Sequence, residues 1–142
     1  MLILSVKAEQ GIKSEGEASY PKECCGALLG RDAPDGRVIE RIIPIANQFE
    51  EGEQHHRFCI EADDILKAEL AAREIGMETL GFYHSHPDCP AVPSEYDRAH
   101  ALPFYSYLIA SVEQGETKGV RAWELSADRS EFWEKDIVID NE

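Results

Sequence analysis

The sequence predicts a mixed α/β (α+β) domain: one mixed β-sheet of several strands, flanked by two or three helices. Three observations predict it. Apolar runs of strand length are interleaved with helix-patterned segments, which favours a sheet with helices packed on it. Two of those runs are neighbours in sequence, joined by a turn containing Pro34 and Gly36, so hairpins occur and the sheet is not wholly parallel. A chain of 142 residues, 43% hydrophobic and 30% charged, suits one domain with a sizeable core. We expect residues 1–142 to form a single domain.

The elements follow in order. LILSV (Leu2 to Val6) reads as a first strand. Lys7 to Ala18 reads as a helix that tolerates Gly11 and Gly16 at some cost in propensity and stops at Tyr20-Pro21. CCGALLG (Cys24 to Gly30) and VIERIIPIAN (Val38 to Asn47) form the hairpin, with Pro44 implying an edge or bulge. The acidic loop FEEGEQ leads into HHRFCIE, a further strand. ADDILKAELAAREIG is the clearest helix: Asp63 and Asp64 stand at its start, Arg73 near its end, and Gly76 stops it. TLGFYHSH is a strand ended by Pro87, and Ser94 to Ala101 a short helix. FYSYLIASVE, GVRAWELS and EFWEKDIVI complete the chain as three strands.

Charge and composition exclude several functions. A net charge of −14, from 28 acidic and 14 basic residues, repels phosphate backbones and argues against nucleic acid as a partner. No window approaches the roughly 18 apolar residues of a membrane span, and MLILSVKAEQ is too short for a signal-peptide core. Both facts point to a cytoplasmic protein with no membrane partner. Cys24, Cys25, Cys59 and Cys89 lack CxxC spacing and read as free thiols.

The chemistry concentrates in GFYHSHPDCPAVPSEYD, Gly81 to Asp97. Residues i and i+2 of a strand share a face, so His84 and His86 point together and Ser85 points away. Roughly 7 Å of strand separates them, close enough for both imidazoles to reach one ion. An HxH pair alone is ambiguous, because alternating polar residues on an exposed strand also produce it. Ser94-Glu95-Tyr96-Asp97 is equally double-edged. It reads as a helix N-cap with an acidic third residue, and the same spacing aims Ser94 and Asp97 at a common point. Two histidines and a carboxylate would leave a fourth zinc position for water, the catalytic rather than the structural arrangement. Zinc lowers the pKa of such a water to about 7, and a glutamate outside the ligand set would serve as base. Glu23, at the edge of an uncharged run, is one candidate; an ordinary solvated glutamate at a strand start is the competing reading.

PKECCGALLG followed downstream by His84-Ser85-His86-Pro87, six residues, and Ser94-Glu95-Tyr96-Asp97 resembles the JAMM (MPN-plus) zinc metallopeptidases. The resemblance implies a JAMM/MPN fold, with a curved sheet and cytidine-deaminase-like architecture. It implies one Zn2+ per chain held by His84, His86 and Asp97, Glu23 as the base on the zinc water, and Ser94 as oxyanion donor. It further implies cleavage after the C-terminal diglycine of a ubiquitin-like protein. The short link from Asp97 to the next strand leaves no room for the chain-gripping insertion of larger members. That favours the small bacterial type, whose substrate is a ubiquitin-like sulfur-carrier protein. An isopeptidase acting on lysine-linked modifiers, or a non-catalytic module binding ubiquitin-like proteins, are the alternatives. A zinc deaminase of related fold is disfavoured by the missing PCxxC pattern. The substrate's identity, the roles of Cys89, His55 and His56, and the oligomeric state stay open, a homodimer through a sheet edge or helix face being one arrangement the sequence allows.

Overall fold

A computed structural model describes residues 1–47 and 60–140. In chain order the elements are β1 (Leu2–Ser5), α1 (Val6–Ser19), β2 (Cys25–Ala33), β3 (Gly36–Ile45), α2 (Ala62–Glu74), β4 (Glu78–Pro87), α3 (Glu95–His100), β5 (Ser106–Glu113), β6 (Glu116–Leu125), β7 (Phe132–Lys135) and β8 (Ile137–Asp140). All the strands belong to one sheet, ordered β7-β6-β5-β4-β2-β3-β1-β8. The pairs β4–β5, β1–β3 and β1–β8 are parallel and the rest antiparallel, as the mixed α+β reading expects.

The last expected strand, EFWEKDIVI, is corrected. It is two strands, β7 and β8, on opposite edges of the sheet, with only Asp136 between them. Two peptide units span no more than about 7 Å, so the edges of the sheet must come together there, and the sheet curls. The Leu2 amide donates to the Asp136 carbonyl at 2.9 Å and fixes the corner. Nothing in the apolar pattern of EFWEKDIVI marks that break. HHRFCIE lies outside the described residues, apart from Ile60 and Glu61, which lead into α2 without forming a strand.

Helix α1 packs against β1, β3, β4, β5, β6 and β8. Seven strand positions laid flat would span roughly 29 Å, while a helix is only about 10–12 Å across. One helix therefore reaches all six strands only because the sheet wraps around it. Ser5 caps α1, its Oγ accepting the Ala8 amide at 3.1 Å. Gly16 stays inside the helix because a Cβ there would sit 3.1 Å from Val112 and 3.5 Å from the Ser85 Cβ. Its propensity cost is offset by close packing on the sheet. The core on this side joins Leu4, Ala8 and Ile12 to Leu28, Tyr83 and Leu108.

The other face carries α2, packed on β2 and β4 through Ala68 and Ala72 against Ala27, Leu29 and Phe82. Strand alternation puts His84 and His86 on this Phe82 face. Their strand, β4, is central, flanked by β2 and β5. Pro44, expected at an edge or bulge, lies on β3 beyond its last pairing with β1, at Ile39. The β2–β3 bulge itself falls between Leu29 and Gly30.

Candidate metal centre

The site forms where β4 ends beside the start of β2 and the start of α3. His84 opposes Cys25 of β2 and Ile109 of β5, which holds its backbone on both sides. Pro87 then ends the strand, and the chain turns through Asp88, at φ 56°. The Asp88 carboxylate accepts from the Tyr20 hydroxyl at 2.5 Å and the Gln114 amide at 2.8 Å. This tie holds the turn that leaves β4.

Three donor atoms converge in this corner. His84 Nε2 and His86 Nε2 are 3.1 Å apart, and Asp97 Oδ2 is 3.2 Å from the first and 3.1 Å from the second. A tetrahedron with metal–ligand distances of about 2.0–2.1 Å has donor–donor edges of roughly 3.3 Å. The triangle is close to one face of such a tetrahedron. His86 Nδ1 lies 2.9 Å from the Pro90 carbonyl, which only a ring N–H can satisfy. A proton is therefore on Nδ1, and in the neutral ring the Nε2 lone pair faces the triangle.

Asp97 also closes a capping box on α3. Ser94 N–H donates to Asp97 Oδ2 at 2.9 Å, and Asp97 N–H donates to Ser94 Oγ at 3.0 Å. The cap and site readings of SEYD thus hold together. Ser94 caps with an oxygen lone pair, leaving its hydroxyl hydrogen available at the exposed rim of the site.

Glu23 completes the cluster. It is 6% exposed, its Oε1 has no hydrogen-bond partner, and it groups with His84 and His86 with all ligand atoms within 4.8 Å of one another. A buried, unpartnered carboxylate is costly. Burial is the main reason its pKa is pushed up to about 8, with His86 pulling it down and Asp97 pushing it further up. Asp97 resists the same burial: both histidines and the Ser94 amide hold it well below the usual carboxylate range. Burial lowers His84 against the pull of Asp97. For His86, burial is outweighed by Asp97, Pro90 and Glu23, and its pKa is raised. Among the described residues no lysine or arginine pairs with either carboxylate. Two neutral imidazole nitrogens, a buried anion and a second carboxylate nearby are a donor set suited to a dication such as zinc.

These shifts give a signed expectation for the metal-free protein. In the fold Glu23 keeps its proton up to about 8, while the unfolded chain releases it near 4.5. Between those values the unfolded state binds fewer protons, so stability falls as pH rises. Asp97 has the opposite sign and acts only as pH drops below its ordinary 3.8. His86, also raised, adds to the loss at high pH, while His84, lowered, opposes it as pH rises toward the ordinary histidine range. Comparing urea midpoints at about pH 5 and about pH 8.5 should show a drop that shrinks in Glu23→Gln. An equal drop in both proteins would show that Glu23 is not the titrating group.

The sequence-predicted residues Glu23, His84, His86, Ser94 and Asp97 are thus brought into one corner. His100 is not part of it: its Nδ1 bonds the Tyr96 carbonyl at 2.9 Å and its ring stacks on Tyr96. Cys89 is exposed, and its carbonyl accepts from Ser111 Oγ at 2.6 Å. His55, His56 and Cys59 lie outside the described residues. Sequence reasoning missed the Pro90 carbonyl, since a backbone acceptor has no signature in the sequence. A cavity of about 140 Å³ opens beside His84 and Asp97, lined by Ile65, Phe82, Tyr96, Leu102 and Phe132.

Residues 6–126 match the family model described as prokaryotic homologs of the JAB domain. The desampylase of Haloferax volcanii is 33% identical, over 98% of this chain and 96% of that protein. A probable TtuB-protein conjugate cleaving protease of Thermus thermophilus is 35% identical, over 74% of this chain and 63% of its own length. Among solved structures, a protein from Desulfitobacterium hafniense is 30% identical with a TM-score of 0.86, covering 100% of this chain and 94% of that one. A JAB1/MPN domain protein from Archaeoglobus fulgidus, at 19% identity and a TM-score of 0.62, covers 96% of each chain and shares the fold.

Proposed function

The chain belongs to the family of prokaryotic JAB-domain homologues and is a JAMM-type hydrolase, and on that premise we propose that it is a zinc-dependent metallopeptidase. Its proposed reaction is hydrolysis of the peptide bond after the C-terminal diglycine of a ubiquitin-like, sulfur-carrier type protein. The observation that carries the reading is the triangle of His84 Nε2, His86 Nε2 and Asp97 Oδ2 with an unpartnered Glu23 carboxylate beside it. Bound zinc would supply a Lewis acid and a water acidic enough to ionise near neutral pH.

The chain's own groups divide the remaining work. His84, His86 and Asp97 hold the ion. Glu23 takes a proton from the attacking water and returns it to the departing amine, so one C–N bond breaks as one C–O bond forms. Beside a bound dication its carboxylate is drawn back toward ionisation, which suits it to act as base near pH 7. Ser94, its hydroxyl hydrogen unused by the cap, donates to the oxyanion that develops on the carbonyl. The apolar cavity beside His84 receives the extended tail.

The test is incubation of the zinc form with ubiquitin-like proteins extended beyond Gly-Gly, read by mass spectrometry. We expect product ending at the second glycine, with cleavage abolished by a chelator and restored by zinc. Intact substrates across a broad panel would overturn the reading. The name of the Thermus relative, a conjugate cleaving protease, favours a second reading, release of a modifier from lysine. A lysine-linked conjugate in the same assay ranks the two.

A further inference from the structure

The Glu23 carboxylate approaches the metal corner from a residue that belongs to no regular element. Glu23 and Cys24 precede β2, and the regular β2–β4 pairing begins only at Cys25 opposite His84. Something else must fix the direction of the Glu23 side chain. The peptide group joining Glu23 to Cys24 is gripped at both edges by side chains. Its N–H, on Cys24, donates to Ser85 Oγ at 2.9 Å. Its carbonyl, on Glu23, accepts from Asn47 Nδ2 at 3.2 Å. Ser85 adds a second bond, its own N–H donating to the Cys24 carbonyl at 3.1 Å.

We propose that Ser85 and Asn47 are positioning residues that lock the Glu23–Cys24 peptide plane and so aim the Glu23 carboxylate at the metal corner. Ser85 stands between the two histidines but faces the opposite side of the sheet, fully buried under Gly16 of α1. A hydroxyl there would be a burden without a partner; bonded to Cys24, it ties Glu23 to the strand that carries His84 and His86. Base and histidines then share one rigid frame. Asn47, half-buried at the end of the hairpin, holds the other edge.

The inference rests on the hydrolase reading above, and its test separates the two. Ser85→Ala should keep one zinc per chain and a KM within about twofold of wild type. Its kcat should fall about 10- to 100-fold, the scale of a misplaced catalytic group. In the metal-free protein the Cys24 amide should exchange at least about fivefold faster, as loss of one hydrogen bond predicts. Asn47→Ala, at a more tolerant position, should lower kcat in the same way. Wild-type kcat in both alanine variants would overturn the proposal. So would a loss that merely tracks zinc content. If wild type cleaves nothing, the functional reading fails. The clamp is then judged by the Cys24 amide alone, where unchanged protection in Ser85→Ala overturns it.

Discussion

Glu23→Gln is expected to retain one zinc per chain while kcat falls by at least about 10³-fold, within the range that general acid–base groups supply. Glutamine has nearly the shape of glutamate, so it occupies the same buried corner without opening a cavity. What it removes is the ability to accept a proton. The surroundings of Glu23 make this substitution informative. Its Oε1 has no hydrogen-bond partner, so no structural bond is lost with the charge. It stands close to the histidines, but the short donor contacts there are made by Asp97, so the ion should stay. Metal content by elemental analysis and kcat under saturating substrate check the two halves separately. A variant that turned over at the wild-type rate would remove Glu23 from the chemistry and return it to the role of a buried spectator.

The second large effect concerns Asp97, which serves two structures at once. Its Oδ2 faces both imidazoles and also accepts the Ser94 amide. Asp97→Ala should lower zinc affinity by at least about 10²-fold, the upper end of what loss of an outer partner alone produces. It should also cost about 1 kcal/mol through loss of the Ser94 amide's bond to Oδ2, the reciprocal half of the capping box. Asp97→Asn separates these contributions. An amide oxygen can still accept from Ser94 N–H, so the helix start is kept while the negative charge beside the histidines is lost. We expect the metal-free Asn protein to melt above the Ala protein, because the helix start is kept, though below wild type, because the carboxylate that the histidines favour is gone. Its zinc affinity should lie much nearer that of Ala than that of wild type. Chelator-competition titrations and melting of the metal-free forms measure the two quantities. Zinc affinity preserved in the asparagine variant would mean that charge at Asp97 does not hold the ion.

Much of this site was legible in the sequence because local periodicity carries it. His84 and His86 fall on one face of β4 by strand alternation alone, and Ser94 to Asp97 form a capping box at the spacing the sequence displays. That Glu23 joins them could not be read from periodicity. Its position depends on β2 pairing with β4 in the register that sets Cys25 opposite His84, a long-range event that only the family resemblance anticipated. Fold class was legible for the same local reasons. The break at Asp136, which sends β7 and β8 to opposite edges, was not, because curvature of the whole sheet determines it. The grip of Ser85 and Asn47 on the Glu23–Cys24 peptide joins positions 61 residues apart in one case and 24 in the other. No motif announces such a contact.

The central claim is that one metal ion is held by His84, His86 and Asp97. Diffraction from crystals grown with zinc, recorded on either side of the zinc absorption edge, tests it most directly. The expected result is one anomalous peak per chain, capping the triangle of His84 Nε2, His86 Nε2 and Asp97 Oδ2, with the Glu23 carboxylate nearby but outside ligand distance. No peak in that corner at full zinc loading, or a single peak held by other residues, would contradict it.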